Sequence, residues 1–331
     1  MEKKVSIVLV NYNGKKYNTA CIDSVLQTQD SCNGLLIRKQ IIVVDNASTD
    51  DSVDILKEKY CIESLNESDN GIHQNRLQDE KLKYCGTTRI ELILLEQNYG
   101  FAVANNKGIE RAEQWGADYI LLLNNDTEID SDMIKCLMEC AERHTQSVII
   151  PKIYYSDDRS RVWSAGGSIS SVVGKIRHNG LNQTDKGQFE KERRVEFATG
   201  CCMLIPKSVL SKTGRLDERF FLYYEDVEYS FRLMRMGIAI YYCPKAYMYH
   251  KVGASSKGAE SPLCAYYISR NWLLCNKENL GKRYWFFLFY YTVNRVVCCL
   301  YWLIKKKPYL VKATICGVKD YKNGKFGKAD Y

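Results

Sequence analysis

Four apolar, β-branched runs stop abruptly on small polar side chains. Residues 5–13 read VSIVLVNYN, residues 39–50 KQIIVVDNASTD, residues 89–100 RIELILLEQNYG and residues 117–129 ADYILLLNNDTEI. Runs that are apolar at consecutive rather than alternate positions predict strands covered on both faces. Amphipathic stretches at about residues 17–28, 52–60, 101–115 and 131–144 separate them and predict helices. Alternating strand and helix implies an α/β domain with a mainly parallel sheet, and such sheets bind ligands beyond the carboxyl ends of their strands. The polar clusters fall there: Asn11, Tyr12 and Asn13; Asp45 and Asn46; Asn98; Asn124, Asn125 and Asp126. Side chains of this kind, oxygen and amide groups at the end of a buried strand, suit a metal ion or a sugar.

Length and composition add little: 331 residues suffice for one α/β domain and an appendage, and 26% charged with 12% aromatic residues describes an ordinary folded chain. Charge changes the picture once it is divided along the sequence. Residues 282–331 hold eleven Lys and Arg against Asp320 and Asp330, a balance of +9, which leaves −1 for residues 1–281 out of a total of +8. A nucleic-acid binder spreads its basic charge over the folded face, so this distribution argues against that class and for an anionic membrane surface as partner of the tail. Fourteen cysteines in a chain that opens MEKKVSIVLV, without the features of a signal peptide, predict free thiols in a reducing cytoplasm. No pair has C-x-x-C spacing, and the thiols are assigned to core packing.

No G-x-G-x-x-G follows the first strand and no G-x-x-x-x-G-K-[ST] occurs, which disfavours dinucleotide enzymes and P-loop phosphotransferases. The segments VSIVLVNYNG, IIVVDNASTDDS, EQNYGFAVANNKGI, YILLLNNDTEI, FATGCCMLIPKSVL and LDERFFLYYEDVEYSFRLMRMG, in this order, resemble glycosyltransferase family 2 over residues 4–280. They look most like its rhamnosyltransferase-like branch. The resemblance implies a GT-A fold, the nucleotide-diphospho-sugar transferase fold, over residues 1–280. Residues 1–130 would form the nucleotide-sugar half and 131–280 the acceptor and catalytic half, followed by a helical tail over 281–331. It also implies an inverting, metal-dependent hexosyl transfer from a dTDP- or UDP-sugar, rhamnose or a related sugar, to a glycan acceptor of bacterial surface polysaccharide.

Direct displacement at an anomeric carbon requires a base for the acceptor hydroxyl and a cation on the departing diphosphate. The resemblance places the metal, Mg²⁺ or Mn²⁺, on Asp126, with His250 of YMYHKVGASS as a further ligand; a histidine satisfied within a loop is the other reading of His250. Where the family carries Asp-x-Asp, this chain has Asn124 in place of the first acid. The second acid of the Glu225–Asp226 pair is the implied base, with Glu225 contacting the acceptor, and a helix N-cap is the local alternative for Asp226. Asp45 is implied to read the base or ribose, against the Asx-turn that DNASTD would also form, with Asn11 and Tyr12 flanking the pyrimidine. Gly100 would let backbone approach the ligand, and Asn98, Asn105, Asn106, Asn124 and Asn125 would line the donor sugar or diphosphate. Trp163, Gly166, Gly200 and Cys201 are acceptor-pocket candidates, although a Trp such as Trp163 is more often a core residue, and Glu228 with Arg232 has the spacing of a surface ion pair.

The polar stretch 62–88 reads as a surface excursion. In the tail, residues 284–304 are long and apolar enough to span a bilayer, but Asn294 and Arg295 fall at the centre, where an Arg costs about 2.5–3.5 kcal/mol. A helix lying in the interface is the expectation, with packing on the domain or in a homodimer as the alternative. That places the protein in the cytoplasm, peripheral on the inner face of the cell membrane, where an acceptor carried on a lipid diphosphate is within reach. Tyr267 and Asn271 stand where processive relatives carry Gln and Trp of Gln-x-x-Arg-Trp, which implies single additions. A nucleotidyltransferase and an inactive sugar-nucleotide-binding module are the competing classes.

Overall fold

The computed structural model describes residues 2–32, 34–66, 83–85, 88–252 and 261–329. The predicted strands appear as β1 (Glu2–Asn11), β2 (Leu35–Asp45), β3 (Thr88–Leu94) and β4 (Tyr119–Asn124), with helices α1 (Asn18–Leu26), α2 (Ser52–Tyr60) and α3 (Phe101–Trp115) between them. The chain continues through β5 (Thr127–Ile129), α4 (Met133–Arg143), β6 (Val148–Tyr155), β7 (Cys202–Pro206), α5 (Lys207–Thr213), α6 (Glu225–Arg235), β8 (Ile240–His250) and α7 (Pro262–Asn279). It ends in α8 (Tyr284–Ile304) and α9 (Pro308–Lys322).

The main sheet runs β6-β7-β4-β1-β2-β3. β1 is parallel to β2 and β4, and β2 is parallel to β3, as apolar runs buried on both faces require. β7 enters antiparallel between β4 and β6. Along β1, Val5, Ile7 and Leu9 join the core with α1 and α4, while Val8 joins the core under α3. Helix α3 lies so close to β1 that a Cβ on Gly108 would stand 2.3 Å from Val8 Cγ1. Of the stretch 62–88, short strands at Ser64–Asn66 and Lys83–Cys85 pair with β3, and the predicted excursion lies outside the described residues.

The tail is not a loose appendage. Helix α9 turns back along α7, where a Cβ on Gly317 would stand 2.4 Å from the Tyr266 carbonyl oxygen, and Tyr266 donates its hydroxyl to Asp320 at 2.6 Å. Phe287 and Tyr291 of α8 pack on Trp272 of α7 in a cluster that also holds Phe220, Val227 and Phe231. Arg295 faces the protein, over the rings of Trp272 and Tyr291 at 5.6 and 5.9 Å, so the charge expected at the centre of the apolar helix is turned away from its outer face. By length and composition the segment Gly281–Ile304 could cross a membrane, and little of it is covered by the rest of the chain.

Candidate active site

Register aligns the polar strand ends at one level: Asn11 pairs with Asp45, and Val10 with Asn124. Asn11 is fully buried, and its amide is committed. It donates to Asp45 Oδ1 at 2.6 Å, Ser52 Oγ at 2.9 Å and Ser48 Oγ at 3.1 Å, and accepts from Gly14 N–H and Asn18 Nδ2. Asn125 donates to Asn18 Oδ1 at 2.7 Å. A Cβ on Gly14 would meet both Asn11 and Asn125 at 2.4 Å, so this amide cluster requires glycine there. Asn11 therefore braces the crevice from beneath, and Tyr12, half exposed, is the residue of that pair open to a ligand. Asp45 accepts from Ser48 N–H at 3.0 Å, the predicted Asx-type turn, and is buried beside Asn11.

Five expectations are corrected. Gly100 (φ +91°) approaches protein rather than ligand: its Cβ would stand 2.4 Å from Phe221 O, the oxygen that accepts from Phe101 N–H at 2.7 Å. Asn106 donates to Leu216 O and Glu218 Oε1, both at 2.9 Å, and accepts from Leu216 N–H at 3.0 Å, which pins a loop and leaves no amide end for a donor sugar. Asn105, buried, donates to Phe101 O within its own helix. The Glu228–Arg232 pair is not on the surface, because Arg232 reaches inward to the carbonyls of Thr213 and Arg215 at 3.0 and 2.6 Å and Glu228 is 3% exposed. Asn98 accepts from Asn46 Nδ2 and Gly100 N–H at 3.0 and 2.9 Å, so it shapes the same turn.

On the other side of the crevice, β5 and β8 pair antiparallel with His250 opposite Thr127, which carries His250 to Asp126. Nε2 of His250 lies 3.3 Å from Asp126 Oδ1, both residues are less than a tenth exposed, and Lys251 N–H holds the Asp126 carbonyl at 3.0 Å. Burial works against an imidazolium there, but Cys201 and Asp126 outweigh it and lift His250 to about 10. Among the described residues, His250 Nδ1 and Asn124 Oδ1 are buried without a hydrogen-bond partner. Asp126 and Cys201 favour a proton on the His250 ring, the place a cation would take; with that proton displaced, a carboxylate, an imidazole and a spare amide oxygen are donors of the kind that Mg²⁺ or Mn²⁺ accepts. Trp163 packs edge-on to His250, ring centroids 4.8 Å apart, and against His178, which burial and then the His250 charge push down to about 4.

The carboxylate pair opens α6. Tyr224 (φ +77°), not Asp226, is the N-cap, and Tyr223 (φ +66°) is left-handed as well. Two consecutive tyrosines in this region are strained, and Asn271 of α7 holds them by donating to Leu222 O and Tyr223 O at 2.9 and 2.8 Å. Asp226 accepts from Gly200 N–H at 2.9 Å and from its neighbour Val227 N–H at 2.8 Å. Burial raises both acids: Asp226 to about 6, restrained by those N–H groups, and Glu225 well above its ordinary range by burial and then by the Asp226 charge. The segment Gly200–Cys201 links the two chemistries, since Gly200 N–H holds Asp226, the Cys201 thiol contacts His250, and Cys201 O accepts from Asn124 N–H at 2.9 Å. Sequence reasoning missed Asn18, Asn46 and Asn271 as bracing residues. Asn271 was visible only as a departure from a motif.

A mostly parallel sheet with its polar strand ends at one level, beside a buried carboxylate–imidazole pair and a raised carboxyl dyad, is the arrangement of a GT-A type glycosyltransferase. The chain matches the models described as "Glycosyltransferase like family 2" over residues 66–265 and "Glycosyl transferase family 2" over residues 6–79. It belongs to glycosyltransferase family 2, in its rhamnosyltransferase-like branch. Similar proteins include the low-salt glycan biosynthesis hexosyltransferase Agl10 of Haloferax volcanii, 28% identical over 63% of this chain and 67% of the relative. The dTDP-rhamnosyl transferase RfbF of Shigella flexneri is 27% identical over 60% and 67%. An N-acetylglucosaminyl-diphospho-decaprenol L-rhamnosyltransferase of Mycobacterium tuberculosis is 25% identical over 64% and 74%. The fold is also that of GalNAc-T7, solved with UDP, GalNAc and Mn²⁺ (TM-score 0.59, 13% identity, 83% of this chain and 48% of that one). S. aureus TarS 1-349 in complex with UDP has TM-score 0.52 and 16% identity over 97% of this chain and 90% of that one.

Proposed function

We propose that the protein transfers one deoxyhexose or hexose, rhamnose in the first instance, from a dTDP- or UDP-sugar to a glycan acceptor in surface polysaccharide synthesis, with inversion. The observation that carries this reading is Asp226, an acid raised to about 6 and fixed by two N–H groups beside the Asp126–His250 pair. A base of that strength is mostly ionised at neutral pH yet basic enough to assist a hydroxyl. Asp226 takes the proton of the acceptor hydroxyl as its oxygen bonds to the anomeric carbon and the bond to the diphosphate breaks, releasing nucleoside diphosphate. Glu225, favoured as the neutral acid, donates a hydrogen bond to the acceptor. Asp126 and His250 would hold a divalent ion, which when bound would offset the charge of the departing diphosphate. Tyr12 and Asp45 take the nucleotide. Asn271, which stands where processive relatives carry Trp, has the bracing task described above, and the departure from that motif favours single additions.

The rhamnosyl reading rests on the relatives, two of which carry that sugar in their names. A UDP-hexose donor is the alternative, favoured by the fold likeness to UDP-bound TarS. A thermal-shift panel of dTDP- and UDP-sugars with and without Mn²⁺ separates them, because a ligand of the folded state raises Tm by mass action. A metal-dependent shift with dTDP-rhamnose alone is the expected result. Shifts with UDP-hexoses alone would replace the donor, and nucleoside diphosphate release that is independent of metal would remove the metal assignment.

The same reading places α8 on an anionic membrane surface at the cytoplasmic face. Trp285, Phe286 and Phe289 are 75, 70 and 76% exposed, Val293, Val297, Leu300 and Ile304 continue their row, and Lys305, Lys306 and Lys307 follow at the end. An apolar row closed by lysines suits the acyl and headgroup layers, where a lipid-diphosphate acceptor is presented. Sedimentation with vesicles containing anionic lipid tests it, and an oligomer that leaves vesicles unbound would assign the row to a copy of this chain instead.

A further inference from the structure

Helix α4 carries Cys136 and Cys140 at four-residue spacing, on one face, directed at β8, and His144 is the residue that caps its C-terminus. Cys243, early in β8, donates to the Cys136 carbonyl at 3.5 Å and lies against Cys140, and Glu192 arrives from the loop before residue 193. The ligand atoms of Cys140, Glu192 and Cys243 lie within 4.8 Å of one another. Cys140 Sγ is 3.5 Å from Glu192 Oε2, and His144 Nε2 is 2.6 Å from the other oxygen of that carboxylate. His144 is itself fixed by stacking on Tyr241, centroids 3.6 Å apart.

We propose that Cys140, Cys243 and Glu192 form a zinc site, separate from the site at Asp126, that staples α4 to β8. Tetrahedral zinc with Zn–S of about 2.3 Å and Zn–O of about 2.1 Å sets S···S and S···O edges of about 3.8 and 3.6 Å; the Cys140–Glu192 edge of 3.5 Å matches, and the three atoms, all within 4.8 Å, need only a small adjustment to close one face. Water fills the fourth position at the half-exposed Glu192 end. Two thiolates select zinc over Mg²⁺ or Mn²⁺. His144 orients the liganding carboxylate as an outer-shell partner, and Arg143, 2.6 Å from Glu192 Oε2, balances the net charge of −1 left by two thiolates, one carboxylate and Zn²⁺. Loading releases the two thiol protons to solvent. Cys243 and His250 stand seven residues apart along β8, about 20 Å, so the two metal sites load independently.

The test is metal analysis of the full chain purified without chelator, then reconstitution with Co²⁺, whose thiolate charge-transfer band reports cysteine ligation and is blind to a carboxylate–imidazole site. One zinc per chain and a thiolate–cobalt band are expected, retained in Asp126→Asn and lost in Cys140→Ser/Cys243→Ser. If that double variant fails to fold, Glu192→Gln keeps the question answerable, with an expected loss of at least about tenfold in zinc affinity by chelator competition. A band that survives the cysteine changes, or the absence of both zinc and band in the unaltered protein, overturns the site. So does a mass 2 Da lower with two fewer titratable thiols, which would mean a Cys140–Cys243 disulfide.

Discussion

Replacing Asp226 by Asn tests the base through stability as well as activity. The carboxyl is displaced from 3.8 to about 6, chiefly by burial, which corresponds to about 3 kcal/mol between its protonation states. Asp226 keeps some contact with the crevice, and solvent screening lowers the expected figure to about 2 kcal/mol. For an acid raised in the folded state, the penalty is absent below the unfolded value of 3.8, develops as pH rises to about 6, and is complete above it. Asparagine keeps an oxygen for one of the two N–H groups and carries no charge, so the variant gains on the native protein as pH rises through that window. With about 2.1 cal/mol/K per residue, the 331 residues convert 2 kcal/mol to about 3 °C. The assay is Tm of both proteins from pH 4 to pH 8, with Glu225→Gln alongside to separate the neighbouring acid. Transfer should be abolished in Asp226→Asn while donor still binds, and native kcat/KM should fall about tenfold per pH unit below about 6. A Tm difference that does not change with pH, or a variant with full activity, would refute the reasoning.

Gly100→Ala should cost about 2–4 kcal/mol in urea unfolding, from a Cβ 2.4 Å from Phe221 O and a left-handed φ of +91°, and a loss under about 1 kcal/mol would show that the contact is soft. Asn271→Ala removes donors from two carbonyls and should cost about 2 kcal/mol while lowering kcat more than donor affinity; an unchanged kcat would sever Asn271 from the base. Trp285→Ser/Phe286→Ser/Phe289→Ser should weaken vesicle binding without changing Tm, whereas deleting residues 282–331 would disturb α7 as well; undiminished vesicle binding by the triple variant would reject the docking surface.

The strand ends were legible because a parallel sheet with both faces covered writes itself as apolar runs, and topology delivers whatever follows those runs to one rim. Asp126, His250 and Asp226 were named through their resemblance to known motifs, and the fold brings the first two within 3.3 Å of each other. The roles of Gly100 and Asn106 were not, because their partners, Phe221 and Leu216, arrive from more than 100 residues away and a single sequence does not announce that approach. Spacing likewise placed Glu228 and Arg232 on a surface, but the free carbonyls of Thr213 and Arg215 draw the guanidinium inward. Cysteines 103 residues apart cannot be paired by C-x-x-C arithmetic, and only the β8–α4 packing brings Cys140 to Cys243.

The contacts of Gly100 with Phe221 and of Asn106 with Leu216 join the start of α3 to the loop that leads into the carboxylate pair. The half proposed to hold the donor and the half proposed to carry the base thus meet along a seam of backbone oxygens, with no slack for a methyl group at Gly100. Such a seam limits how the enzyme can be recombined. A chimera that takes residues 1–130 from one relative and the remainder from another must import both sides of the seam together, or the new base will sit misaligned over a donor that binds well. Acceptor preference in this chain should therefore be altered through the middle segment around Trp163, which touches His250 from outside the seam, sooner than by exchanging halves.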